Sequence, residues 1–192
     1  MKYLEIVESP QLIEPEDWNL GNKSSNIMLA NRFLASDPIL IKQYPIAKLM
    51  YREGNVGGEV ALIERDGKLS YYVQYEIHSL NHLGRCATQV KLWRSMDASV
   101  KFLARTVFDE FLLTRFDTIV SDSHQTDRGR EFWRTQIAGN SQTKTVGLIF
   151  KNEISVYDKN ESIGDWVASQ KAWGKDRKYR HMRFFISNLE II

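Results

Sequence analysis

The stretch from 98 to 115 constrains the fold more than any other part of this chain. Val100, Leu103, Ala104, Val107, Phe108, Phe111 and Leu112 recur there at i, i+3, i+4 and i+7 spacing, which gathers apolar side chains on one face of an α-helix. Asp97 precedes the run as its N-cap. Directly after it, residues 117–122 carry the short apolar run Thr118-Ile119-Val120. A strand reached through a crossover helix returns parallel to the strand that preceded the helix. The chain is therefore expected to build an α/β sheet with a parallel pair around this helix.

The strands that precede the helix read as a meander. Glu59 to Glu64 is one strand, and Asp66-Gly67 is a hairpin turn pair. Leu69 to Ser79 is a longer, tyrosine-rich strand; Asn81 to Gly84 is a second turn, and Arg85 to Arg94 is the third strand. Upstream, residues 2–8 alternate as a first strand, and Pro10, Pro15 and Gly21 mark a loop. Residues 24–36 read as a helix with Ile27, Ala30 and Leu34 on its core face, stopped by Asp37-Pro38. Residues 39–50 are expected to form a second short helix, with a break at Gly54 and Gly57-Gly58. Downstream, a helix capped by Thr126 runs to Gly139-Asn140, and Val146–Phe150 and Ile154–Tyr157 are two closing strands.

Length and charge narrow the classes of function. At 192 residues the chain reads as one domain with a sizeable core. A net charge of +2 supplies no global field for nucleic acid. With one cysteine, Cys86, there is no internal disulfide and no all-cysteine zinc site. His78 and His82 lack further ligands at metal spacing, so no metal is expected. The first residues carry acids too early for a signal peptide, and no apolar run reaches membrane-spanning length. The expectation is a cytoplasmic protein without a membrane partner.

Candidate chemistry concentrates in three places. The turn Ser121-Asp122-Ser123-His124-Gln125-Thr126 joins a strand to a helix N-terminus, where α/β proteins place ligands. In it, Asp122 is expected to orient His124 or act alone as an acid/base group; the alternative is that Asp122 and Thr126 cap the helix and satisfy loop N–H groups. On the long strand, Tyr71 and Tyr75 share a face with Val73 while Tyr72 points the other way. The tail from 165 to 192 holds six basic against three acidic residues, a net +3. Its basic and aromatic residues, with Lys175, Arg177, Lys178, Arg180 and Arg183 at the centre, have the composition of a phosphate-tracking, base-stacking surface. They equally suit a solvated edge strand, since cations protect edges from pairing. Phe132, Trp133 and Ile137 read as core, and Cys86 as a buried small hydrophobe.

The element order, together with Ser121-Asp122, Gln125-Thr126, Gly129 and Trp133, resembles the GNAT N-acetyltransferases and acetyltransferase-like proteins of bacteriophages. The resemblance spans most of residues 1–158 and implies a GNAT-like, mostly antiparallel mixed sheet flanked by helices, with 159–192 as a basic extension packed on the same domain. In that family a bulged strand pairs with the pantetheine arm of acyl-CoA, and a loop at the following helix N-terminus binds the pyrophosphate. Carried onto this chain, Val90, Leu92, Arg94, Ser95 and Ser99 are the expected acyl-CoA (acetyl-CoA) contacts. Asp122, His124 and Tyr75 are the expected proton-handling residues. The implied activity is acyl transfer from acyl-CoA to an amine, on nucleic acid or protein, by a phage-encoded protein. The alternative is a non-catalytic binding protein on the same scaffold that contacts nucleic acid or a host or phage protein.

Overall fold

The structure is a computed structural model. It describes residues 22–191 apart from 81, 96–102, 104, 123–126, 152 and 171–181. The predicted strand at 2–8, Asp97, Ser99, His124, Thr126 and the basic residues from Lys171 to Arg180 lie outside the described residues.

The described residues form an α/β fold on one open, mostly antiparallel sheet of nine strands. In chain order these are β1 (Ile39–Gln43), β2 (Ala47–Glu53), β3 (Gly57–Glu64), β4 (Leu69–Leu80), β5 (Gly84–Arg94), β6 (Thr118–Val120), β7 (Thr145–Phe150), β8 (Glu153–Val156) and β9 (Arg183–Ser187). Their order across the sheet is β1-β2-β3-β4-β5-β6-β9-β7-β8. Four helices accompany them: α1 (Lys23–Leu34), α2 (Val107–Leu112 continuing into Leu113–Arg115), α3 (Asp127–Asn140) and α4 (Ile163–Ser169).

The meander from β3 to β5 follows the expected strands. Its first turn places Gly67 at φ +82°, which a residue with a Cβ adopts only under strain. Alternation along β4 then divides the core. Tyr71, Val73 and Tyr75 join the cluster on the α2 face, and Tyr72 joins Ala30 and Phe33 beneath α1 on the other. β5 and β6 pair in parallel, as the crossover requires. Helix α2 buries Val107, Phe108, Phe111 and Leu112, and Leu103 before it is buried as well. Phe108 meets the rings of Phe132 and Trp133 edge-on at 5.6 and 5.8 Å, which docks α3 beside α2. Val107–Leu112 is wound as π-helix rather than the regular α-helix expected. The wider turn accompanies burial of three consecutive residues, Phe111, Leu112 and Leu113, more than an α-helical stripe accommodates.

Three expectations are corrected. Residues 39–50 form no helix: β1 and β2 make a hairpin around Pro45-Ile46, closed by the Tyr44 amide donating to the Ala47 carbonyl at 2.8 Å. Pro45 is excluded from a helix interior, and the β-branched Ile39 and Ile41 suit an edge strand. The core face of α1 is Asn26-Ala30-Phe33, with Leu34 40% exposed. The deciding residue is polar: the Asn26 amide donates to the Leu69 carbonyl at 3.0 Å and its oxygen accepts from the Leu69 amide. This pins α1 to the start of β4 and satisfies a buried side chain that apolar counting placed outside. Finally, residues 183–187 are no solvated edge. β9 lies between β6 and β7, with Phe184, Phe185, Ile186 and Ser187 buried. A strand from the last ten residues thus joins β6 to β7 within the one sheet.

Candidate functional site

The parallel pair is short. β5 and β6 share three rungs, Cys86 with Thr118, Ala87 with Ile119 and Thr88 with Val120. Beyond them β5 continues to Arg94, and among the described residues no strand pairs with that edge. Its other edge stays paired to β4 throughout, with Tyr71 opposite Arg94 and the Ser95 amide donating to the Ser70 carbonyl at 2.8 Å. The register with β4 shifts between Gln74, opposite Lys91, and Tyr75, opposite Gln89. Val90 is left without a partner, as a β-bulge. A bulge redirects backbone groups out of the ladder, here on the strand whose far edge is open. Val90, Leu92 and Arg94, expected as cofactor contacts, lie on this backbone, and Ser95 follows it; Ser99 lies outside the described residues.

Asp122 stands two residues beyond the last parallel rung, at the closed end of this opening. The sequence brings it there because Ser121 extends the pairing of β6 with β9. The Ser121 amide donates to the Phe184 carbonyl at 2.8 Å, and the Phe184 amide donates to Ser121 Oγ at 3.0 Å. Desolvation pushes the Asp122 carboxyl up to about 7, and the positive charge of Arg183 on β9 opposes that rise. A carboxylic acid that titrates near neutrality can give or take a proton under physiological conditions. Gln89, one residue past the same rung on β5, is 3% exposed. Neither spacing nor composition singled it out.

Tyr75 belongs to a different constellation. Its hydroxyl donates to Glu53 Oε2 at 3.1 Å, and its ring packs edge-on against Phe116 at 5.2 Å. Glu53, at the end of β2, also accepts from Arg115 Nε at 2.9 Å and Arg85 Nη2 at 2.8 Å. Burial and the neighbouring carboxylate push the Tyr75 phenol far above its ordinary range. Burial alone would raise the Glu53 carboxyl, but the hydrogen bonds from Arg115 and Arg85 outweigh it and hold the group below its usual value. This cluster ties β2, β4, β5 and the end of α2 together. The phenol is held in its neutral form with its hydroxyl committed to Glu53.

Of the remaining candidates, Cys86 is fully buried and its thiol is pushed up to about 11 by desolvation, which suits packing rather than nucleophilic work. Among the described residues, no group of three or more His, Cys, Asp and Glu is placed to hold a metal ion, and no helix is long and apolar enough to cross a membrane. Arg183 opens β9 beside Asp122, while Lys175, Arg177, Lys178 and Arg180 lie outside the described residues.

Compared with protein-family models and with curated proteins, the chain matches none.

Proposed function

We propose that this chain is a GNAT-like N-acyltransferase that moves an acyl group from acyl-CoA to an amine, on a protein, a nucleic acid or a small molecule of a phage-infected cell. One observation carries the reading. A bulged strand, β5, parts from its parallel neighbour after three rungs, and a carboxyl that titrates near 7 stands at the closed end of the opening. An open strand edge offers backbone donors and acceptors to an extended, amide-containing arm such as pantetheine. Arg94 and Ser95, at the wide end of that edge, favour the phosphates.

In the reaction, the amine nitrogen attacks the thioester carbonyl carbon. The carbon–nitrogen bond forms and the carbon–sulfur bond breaks. The proton lost by the amine passes to the Asp122 carboxylate, and the departing thiolate takes up a proton to leave as CoA thiol. Holding amine and thioester in attack geometry supplies much of the acceleration, and Asp122 supplies general-base help.

A second reading, a binding protein on the same scaffold, is favoured by the sequence of the helix-entry segment. Arg94-Ser95-Met96-Asp97-Ala98-Ser99 contains no glycine and carries an acid. At about 4 Å and a near-surface dielectric, a carboxylate and a phosphate repel by on the order of 4 kcal/mol. Thermal unfolding with and without acetyl-CoA separates the two. A ligand at a hundred times its dissociation constant stabilises the fold by about 2.7 kcal/mol. An unchanged midpoint at millimolar acetyl-CoA rejects the acyltransferase and leaves the binding protein.

A further inference from the structure

Gln89 is a buried side chain whose Nε2 has no hydrogen-bond partner among the described residues. Leaving such a donor unpaired is costly, because the amide has lost its water without gaining an acceptor. Its position is specific. It stands one residue past the Thr88–Val120 rung and one residue before the bulge at Val90. Its cross-strand partner is Tyr75, whose side chain packs in the cluster on the α2 face, as does that of Ala87 two residues earlier. The donor thus belongs to the closed end of the β5–β6 opening, beside the level at which Asp122 stands.

We propose that the Gln89 carboxamide donates to the acyl carbonyl oxygen of the ligand and so selects acylated over free thiol. This rests on the acyl-CoA reading above, which fixes the direction of the ligand. If phosphates favour Arg94 and Ser95 at the wide end, the arm runs along β5 toward Gln89 and its reacting end reaches the closed end. That reacting end is the acyl group, so its carbonyl comes to the level of Gln89 on β5. A donor placed at that oxygen strengthens as charge develops on it in the tetrahedral intermediate. It also has nothing to bind when the ligand ends in a thiol.

The test measures binding of acetyl-CoA and of CoA by calorimetry to the full chain and to its Gln89→Leu variant. Unfolding midpoints are recorded without ligand. The expected result is a wild type that prefers acetyl-CoA by on the order of tenfold, the discrimination one hydrogen bond provides. Gln89→Leu loses that preference while its free midpoint is not lowered, because no bond within the protein is removed. Gln89→Met, closer in shape, serves if the leucine variant fails to fold, and failure of both makes the side chain structural and overturns the proposal. A variant that keeps the preference overturns the role of Gln89 and leaves the acyltransferase reading standing. A wild type that binds neither compound removes that reading, and the role of Gln89 with it.

Discussion

Arg183 on β9 stands across from Asp122, two residues beyond the rung that pairs Val120 with Phe185. Burial raises the Asp122 carboxyl and the guanidinium opposes that rise, so the pH at which this group changes charge is set by two elements far apart in the chain.

The sign of the resulting pH dependence follows. The folded pKa, about 7, lies above the ordinary 3.8, so folding favours the protonated form. That stability is fully present below about pH 4 and is lost as pH rises through about 7. Asp122→Asn should therefore match the wild type near pH 4 and exceed it at pH 8 to 9, by on the order of 4 kcal/mol. Denaturant titrations at several pH values measure this difference. In a transfer assay the same variant should lose about 10²-fold or more, and wild-type activity should rise through pH 7. Arg183→Met should move that rise to higher pH; an unmoved profile separates Arg183 from the site.

Glu53 shows the opposite sign. Its pKa is held below 4.5, so its contribution is present above that value and is lost as pH falls through the folded value. Glu53→Gln weakens charge-assisted bonds to Arg85 and Arg115 and should cost about 2 kcal/mol at pH 7. The deficit should shrink as the pH is lowered toward 3. Chemical denaturation at the two pH values measures it.

Gly147 lies where β7 meets both β8 and β9. A methyl group there would run into the Ser155 carbonyl oxygen and the Phe185 ring. Because the obstacle includes backbone on one side and a buried ring on the other, Gly147→Ala should destabilise the fold by about 1–3 kcal/mol. Thermal denaturation reads the loss, and an unchanged midpoint would mean that the β7–β9 register is looser than described.

The basic residues Lys175, Arg177, Lys178 and Arg180 provide a test of nucleic-acid contact. Deleting the tail would also delete β9, the strand that joins β6 to β7, so neutralisation is the informative change. If these four residues track phosphates, their joint replacement by glutamine should reduce the slope of log K against log salt by roughly 3 to 4 on duplex DNA. Fluorescence anisotropy across a salt series measures it, and a wild-type slope in the variant rules out the contact.

Local pattern made much of the frame legible. The two-residue period of 69–79, the turn at Asp66-Gly67 and the helical period of 98–115 each lie within a single segment. With the chirality of crossovers they predict the meander and the parallel strand that β3 to β6 display. The place of Asp122 between a strand and a helix was legible as well, because β6 and α3 follow one another in the chain. Gln89 was not, since a glutamine in a strand looks like any solvated residue until its neighbours bury it. Residues 39–50 were misread because their apolar residues fit two periods, and only pairing with β3 selects one.

The sequence by itself determined the meander strands, the crossover helix after them and which side of β4 each tyrosine faces, since those choices depend on residues a few positions apart. Only the tertiary structure decided that β9 divides β6 from β7, that Glu53 gathers Arg85, Arg115 and Tyr75, and that the Asp122 carboxyl is partly desolvated. Each of these joins groups tens of residues apart, and desolvation is a property of everything packed around a group rather than of the residues beside it in the chain.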